Sequence, residues 1–282
     1  MKSIKLYAFA DEANSMIDGQ IKAMLRNNIN GLEIRNVDGT NVSEISTAKA
    51  KEVLRKLQDN GFTVWSVGSP VGKSDIDGDF KRDIESFKHT LEIAHTLNAE
   101  NIRIFSFYIP WDKDPSEFKN EVIDRLGVFA DIASGSGITL CHENEKGIYG
   151  DTAERCLDIF KAIPDIRGIF DPANFVQCGV DTLKAWDMLG EHIKYMHIKD
   201  AMEDGSVVPP GYGIGNIKEI AHKYISNGGK AFTIEPHLAV FDGLAGLERE
   251  GDKSNVSEFT YKSNDEAFDT ACAAFKNIMG VK

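Results

Sequence analysis

The sequence predicts a single-domain (β/α)8 TIM barrel that spans residues 1–282. Short β-rich segments alternate eight times with longer segments of helical periodicity, as expected for repeated β-α units. Successive strand ends lie between 25 residues (Ala10 to Arg35) and 40 residues (Gly68 to Tyr108) apart, close to the roughly 30 residues that one unit needs. The main alternative, an open doubly wound sheet, normally carries a glycine-rich phosphate loop after its first strand. Here that turn reads AFADEANSM and has no glycine, which favours the closed barrel.

The predicted strands are short runs rich in β-branched and aromatic residues, at 4–10, 31–35, 63–68, 101–108, 137–143, 166–171, 193–200 and 230–237. The segments between them place apolar residues on one face of a helix. Gly61 follows one such segment and is typical of a helix C-terminus. The pairs Asp151-Thr152 and Asp181-Thr182 precede two others and are typical N-caps.

The composition is that of a soluble globular protein and argues against nucleic-acid and membrane partners. Hydrophobic residues make up 42% and charged residues 27% of the chain. The net charge of −12 opposes binding to a phosphate backbone or an anionic membrane. No segment approaches the roughly 18 apolar residues of a membrane span, and the N-terminus lacks a signal-peptide pattern. Four cysteines without a CxxC pair indicate a reducing compartment, so we expect the cytoplasm.

Polar groups end the last four predicted strands, in the segments GITLCHENE, GIFDPANF, IKYMHIKDA and KAFTIEPHL. Side chains alternate across a strand, so if Glu143 faces the barrel, Cys141 does too, while His142 faces the helices. By the same alternation His197 shares its side with Lys199. Active sites of such barrels lie at the C-terminal ends of the strands, where these groups would meet.

The residues at these four ends predict a metal site made of Glu143, Asp171, His197 and Glu235. Three carboxylates and an imidazole suit Mn²⁺, Mg²⁺, Co²⁺ or Zn²⁺ and exclude a thiolate site. A cation would also explain the clustering, because three adjacent carboxylates would otherwise repel one another.

Long polar segments follow several strands on the same predicted face. Residues 109–118 and 242–266 are expected to lie over the barrel mouth as lids, and the second could also form a contact in a homo-oligomer. Trp111 could cover a sugar ring or only anchor its own loop. The alternating glycines of PPGYGIG (209–215) predict a flexible loop rather than a phosphate cradle. Lys199 could bind a substrate oxygen or form a salt bridge to Glu235 or Asp200.

The chain resembles the xylose isomerase-like barrel superfamily, and within it the sugar phosphate isomerase/epimerase group. The resemblance extends from GLEIR to IEPHL and rests on LCHENEKG, FDPANFVQCGVD, YMHIKDA, PGYGIG and IEPHL, in that order. It implies one divalent metal, with manganese first among the candidates, bound by the four strand-end residues. It also implies that Glu143 and Glu235 act as acid–base catalysts.

Two departures from the family pattern bear on the substrate. Asn174 stands where many relatives have a histidine that helps to bind substrate oxygen, and an amide cannot titrate. Glu203 and Asp204 stand where ketose 3-epimerases carry a substrate-binding arginine. The extra ligands of a three-zinc endonuclease IV site are also not evident.

The expected activity is isomerisation or epimerisation of a small sugar or polyol-like carbonyl compound, by glutamate-catalysed proton transfer through a metal-stabilised enediolate. A metal-dependent dehydratase of the inosose type or a hydrolase on the same scaffold is the alternative. A non-catalytic sugar-binding protein is a third possibility. The residues expected to bind the substrate are Asn174, Lys199, Trp111 and His237.

Overall fold

Eight parallel strands close into a barrel in a computed structural model that describes residues 4–242, 244 and 261–281. The strands are β1 (Lys5–Ala8), β2 (Gly31–Ile34), β3 (Asn36–Val37), β4 (Thr40–Asn41), β5 (Thr63–Val67), β6 (Asn101–Ile104), β7 (Thr139–Glu143), β8 (Arg167–Phe170), β9 (Ile193–Ile198), β10 (Asp200–Ala201), β11 (Val207–Val208) and β12 (Ala231–Ile234). The barrel order is β1-β12-β9-β8-β7-β6-β5-β2, and β3-β4 and β10-β11 form separate two-stranded sheets. The predicted TIM barrel is therefore confirmed.

Helices connect the barrel strands, as the sequence periodicity predicts. They are α1 (Ile17–Arg26), α2 (Thr47–Asp59), α3 (Phe80–Thr96), α4 (Lys119–Ala133), α5 (Ala153–Ala162), α6 (Pro172–Gln177), α7 (Thr182–Leu189), α8 (Ile217–Ser226) and α9 (Asn264–Met279). Thr152 caps α5 and Asp181 caps α7 by accepting backbone N–H groups, which confirms the predicted starts. None of the described helices is long and apolar enough to cross a membrane.

The largest difference from the predicted strands is at β6, which was expected to reach Tyr108 but ends at Ile104. Beyond that point Phe105 and Phe107 donate their N–H groups to the carbonyls of Val71 and Gly72, at 2.8 Å each. The chain therefore leaves the barrel to pair with the loop after β5, and Phe107 takes a φ of 62°. The hairpins β3-β4 and β10-β11 were also not predicted, since two-residue strands carry no readable alternation.

An apolar layer closes the barrel below the site. It consists of the inward-facing Tyr7, Trp65, Cys141, Ile169, Tyr195 and Ala231. Tyr7 and Trp65 stack with ring centroids 5.0 Å apart. His142 instead points outward, where its ring contacts Phe160 of α5. The predicted register of β7 is thus confirmed, and the polar strand ends lie above this apolar layer.

Candidate metal and catalytic site

Four metal-competent side chains converge at the C-terminal ends of the last four barrel strands. Glu143 ends β7, Asp171 follows β8, His197 lies in β9 and Glu235 follows β12. One ligand atom from each lies within 4.8 Å of those of the others, and all four residues are buried. The structure therefore brings together the set expected from the sequence, whose roles as ligands and catalysts stay predictions. We call this set the four-ligand cluster.

His197 connects the cluster to a carboxylate on the other side of the barrel. Its Nδ1 lies 2.8 Å from Glu143 Oε1 and 3.3 Å from Glu235 Oε2. Its Nε2 lies 3.0 Å from Oε2 of Glu33, a fully buried residue of β2. Burial alone would lower the pKa of His197, but Glu143 and Glu33 outweigh it and raise the pKa well above its usual value.

Asp171 is held in place by Asn144, which follows β7, and by Asn174 of α6. The side chain of Asn144 donates to Asp171 O and accepts from Asp171 N, both at 2.9 Å. Asp171 Oδ1 caps α6 by accepting the N–H of Asn174 at 2.9 Å, so Oδ2 is the oxygen that faces the cluster. The same Asn174 donates its side-chain amide to Asn144 O at 2.9 Å and lies 3.5 Å from Glu143 Oε1.

Lys199 lies between two members of the cluster. Its Nζ is 2.9 Å from Asp171 Oδ2 and 3.3 Å from Glu235 Oε2, and the side chain is 7% exposed. The salt bridge to Glu235 was one of the expected alternatives. Asp200, the other expected partner of Lys199, instead binds the glycine loop.

Two arginines that the sequence analysis did not single out hold the two glutamates. Arg103 of β6 donates Nη1 to Glu143 Oε2 at 3.1 Å, and Arg35 donates Nη1 to Glu235 Oε1 at 3.3 Å. Both guanidinium groups lie over the ring of Phe9, at 5.0 Å and 4.4 Å from its centroid. Each glutamate thus turns one oxygen to an arginine and the other to His197.

The two arginines differ in the number of carboxylates to which they donate hydrogen bonds. Arg35 also binds Asp11 through two hydrogen bonds of 2.9 Å and 3.1 Å, and Glu12 at 3.1 Å. Arg103 has Glu143 as its carboxylate partner and otherwise donates to the backbone oxygens of residues 68 and 69. Burial raises the pKa of Glu12 to about 8, although Arg35 opposes the shift.

The remaining predicted substrate-binding residues occupy different surroundings. His237 follows β12 with a φ of 44° and donates its N–H to Glu12 Oε2 at 2.6 Å. Its Nδ1 lies 3.5 Å from Glu12 Oε1 and 3.6 Å from Glu235 Oε1, beside the cluster. Trp111, by contrast, is 61% exposed. Its role as a sugar cover stays a prediction.

The predicted lids can be compared with the structure only in part. Ile109 at the start of the first lid donates to Gly147 O at 3.0 Å, beside the segment that follows β7. That loop therefore begins on the face that carries the four-ligand cluster. Of the second predicted lid, residues 243 and 245–260 lie outside the described residues.

The glycine loop is anchored by a side chain, in contrast to the expected flexible segment. Gly211 and Gly213 donate their N–H groups to Asp200 Oδ2 at 2.8 Å and 3.1 Å. Gly215 donates to Asp200 Oδ1 at 2.9 Å. The alternating glycines thus wrap the Asp200 carboxylate, which occupies the place an external anion would need.

The donors of the four-ligand cluster fit a divalent cation. Burial raises the pKa of Asp171 to about 7, and the charges of Glu235 and Glu143 add to this shift despite Lys199. The Asp171 carboxyl therefore does not ionise readily beside Glu143 and Glu235, even with Lys199, His197 and the two arginines nearby. An additional positive charge would remove this conflict, and carboxylate and imidazole ligands suit Mn²⁺, Mg²⁺ or Zn²⁺.

The fold and the cluster define a TIM barrel whose mouth could hold one divalent metal. The family model of the xylose isomerase-like TIM barrel matches residues 21–249, and the chain belongs to this family. A comparison with curated proteins gives no match.

Solved structures with the same fold include proteins of different activity. The IOLI protein crystallised with a zinc atom has a TM-score of 0.75 at 16% identity, with 98% of each chain covered. D-psicose 3-epimerase from Clostridium cellulolyticum H10, solved with D-tagatose, has a TM-score of 0.72 at 16% identity, with 99% of each chain covered. The probable 3-DHS dehydratase AsbF from Bacillus anthracis has a TM-score of 0.72 at 15% identity, with 98% of this chain and 99% of that chain covered.

Proposed function

We propose that this chain is a divalent-metal-dependent isomerase or epimerase of a small sugar or polyol-like hydroxy-carbonyl compound. The observation that carries the proposal is the orientation of two glutamates toward one point. Glu143 Oε1 and Glu235 Oε2 face the same nitrogen, His197 Nδ1, at 2.8 Å and 3.3 Å. The chain's family and the presence of an epimerase among its structural neighbours support an isomerase or epimerase reaction.

The two glutamates suit the transfer of a proton between substrate carbons. A bound ion would act as a Lewis acid, withdrawing electron density from a substrate carbonyl and making the neighbouring C–H more acidic. Burial opposes ionisation of Glu143, but His197 and Arg103 outweigh it and lower the pKa to about 2. Glu235 also has a lowered pKa, because Lys199 and His237 outweigh burial. Both side chains are therefore carboxylates that can accept a proton.

The position of the two strands allows different outcomes for the transferred proton. Glu143 and Glu235 come from β7 and β12, which β8 and β9 separate in the barrel order. Return of the proton to the opposite face of the same carbon gives an epimer, and return to the neighbouring carbon interconverts aldose and ketose. The arginines hold one oxygen of each glutamate and so fix the orientation of both carboxylates. Asn174, Lys199 and His237 would bind substrate oxygens around this point.

The decisive experiment incubates the protein with Mn²⁺ and a panel of free ketoses, their phosphates and inososes in heavy water. We expect deuterium at the carbon next to the carbonyl, together with an epimer or isomer of one compound. Glu143→Gln and Glu235→Gln should each abolish the exchange, because an amide cannot carry the proton. Metal content must be measured for each variant, since both residues are also proposed ligands.

The other outcomes assign other functions. Loss of water from the substrate would indicate a dehydratase, and bond cleavage without deuterium incorporation would indicate a hydrolase. Binding of a compound without any exchange would indicate a sugar-binding protein. Zn²⁺, Mg²⁺ and Co²⁺ should be tested beside Mn²⁺, because the donor set accepts all four.

A further inference from the structure

Glu33 is a buried carboxylate that contacts the four-ligand cluster without being one of its members. It lies in β2 and is fully buried. In the barrel order, β12 and β1 separate β2 from β9, which carries His197. The contact between Glu33 and His197 therefore crosses the inside of the barrel.

Both oxygens of Glu33 are fixed by hydrogen bonds. Oε2 lies 3.0 Å from His197 Nε2, and Oε1 accepts the hydroxyl of Tyr195 at 2.7 Å. The Tyr195 hydroxyl in turn lies 3.0 Å from Ser66 Oγ, and the tyrosine ring makes an edge contact with Trp65. All of these side chains are buried, so both oxygens of Glu33 are held away from solvent.

The direction of the Glu33 hydrogen bond determines which ring nitrogen of His197 can bind a cation. A neutral imidazole carries one N–H and one lone pair. An ionised carboxylate only accepts, so its bond to Nε2 places the N–H there and leaves the lone pair on Nδ1. Nδ1 is the nitrogen that faces Glu143 and Glu235.

We propose that Glu33 is a positioning residue that selects the Nε2–H form of His197, so that Nδ1 is the metal ligand. The proposal rests on the proposed function, because it presupposes a metal in the four-ligand cluster. A carboxylate that accepts the N–H of a metal-bound histidine also raises the basicity of the ring, so Glu33 would make His197 a stronger metal ligand. A buried ion pair without influence on the metal is the competing explanation.

Two substitutions separate charge from hydrogen bonding at this position. Glu33→Gln keeps the size and an acceptor oxygen but removes the charge, whereas Glu33→Leu removes both. Zinc binding to metal-stripped protein should weaken by about tenfold in Glu33→Gln and about 100-fold in Glu33→Leu. Tyr195→Phe is the matched control, since it removes a partner of Glu33 but leaves the contact with His197. Its loss of zinc affinity should be smaller than that of Glu33→Gln.

Nitrogen-15 NMR of histidine-labelled, zinc-loaded protein gives a readout independent of activity. The His197 signals, assigned with His197→Asn, should show zinc at Nδ1 and a proton at Nε2. Coordination through Nε2 in the unsubstituted protein would refute the proposal. Unchanged zinc affinity in Glu33→Gln would do so too, even if Glu33→Leu does not fold. Absence of zinc binding by the unsubstituted protein would overturn both this inference and the proposed metal site.

Discussion

The ammonium of Lys199 lies 2.9 Å from Asp171 Oδ2, the oxygen that a metal in the four-ligand cluster would need. A metal bound in the cluster would therefore compete with the lysine for the same carboxylate. Removing the ammonium by Lys199→Met leaves Asp171 and Glu235 with less positive charge, and breaking such a buried pair typically costs about 3 kcal/mol. We expect a lower unfolding free energy in the metal-free protein and a tighter Kd for Mn²⁺ in calorimetric titrations.

Lys223→Met is a matched control for Lys199→Met. Lys223 pairs with Asp187 at 3.1 Å, but its side chain is 36% exposed and lies away from the cluster, on α8. Solvent screens such an exposed pair, so both stability and metal affinity should change little. Equal behaviour of the two variants would contradict a competition between Lys199 and the metal.

Arg35 has more carboxylate partners than Arg103, which predicts different stability losses when one glutamate is replaced. Glu143→Gln leaves Arg103 buried without a carboxylate, whereas Glu235→Gln leaves Arg35 paired with Asp11 and Glu12. We expect the first change to cost about 3 kcal/mol and the second about 1 kcal/mol of unfolding free energy. Urea denaturation of both metal-stripped variants measures the difference. A larger loss in Glu235→Gln would show that Arg35 depends on Glu235 more than on its other partners.

The outward-facing His142 predicts an acid-sensitive term in stability but little effect on catalysis. Burial lowers the pKa of His142 to about 3 from its ordinary 6.5. Below pH 6.5 the unfolded chain gains a proton that the folded protein excludes, so stability falls as the pH falls toward 3. His142→Asn removes this pH dependence. As the pH falls, the unfolding free energy of the variant relative to the unsubstituted protein should therefore rise by up to about 1.4 kcal/mol per pH unit.

Urea denaturation of metal-stripped protein at several values between about pH 7 and about pH 5 tests this pH dependence. A constant gap would contradict a neutral, buried imidazole at position 142. Retained deuterium exchange in His142→Asn would agree with the outward orientation of the ring. Loss of exchange would place His142 in the catalytic machinery instead.

Crowding at the glycine loop predicts that Gly213 does not tolerate a side chain. A Cβ at this position would overlap the backbone oxygen of Ala201 and the carboxylate of Asp200. Gly213→Ala should therefore lower the unfolding free energy by about 2 kcal/mol. Gly127→Ala is the control, since Gly127 lies within α4 and a Cβ there meets nothing within 4 Å. That change should instead raise stability by about 0.5–1 kcal/mol.

Much of the barrel could be predicted because each strand repeats a local pattern. The alternation around Cys141, His142 and Glu143 has a period of two, so one inward residue sets the direction of the others. The end of β6 was less predictable, because it depends on hydrogen bonds to a loop that is distant in the sequence. Phe105 and Phe107 continue an apolar run in the sequence, yet bind the backbone of residues 71 and 72.

The residues that contact the four-ligand cluster from outside could not be predicted from the sequence, for a related reason. Glu33, Arg35 and Arg103 each carry a charge within or directly after a short apolar strand, which is a readable sign of an inward polar group. Their partners, however, lie 23 or more positions away along the chain, for example 23 for Arg35 and Glu12, 40 for Arg103 and Glu143, and 164 for Glu33 and His197. Only the closure of the barrel shows which charges meet.

The carboxylate of Asp200 gives the glycine loop an internal anion, and this has a mechanical consequence. Three amides of residues 211–215 bind that single side chain, so the loop and the residue after Lys199 are tied together. A substrate phosphate could use these amides only by displacing Asp200. A displacement of the loop that keeps these three hydrogen bonds would move Asp200, the residue next to Lys199, whose ammonium lies 2.9 Å from Asp171 Oδ2. The hydrogen bonds of Asp200 thus join the surface of the loop to the backbone that positions this ammonium.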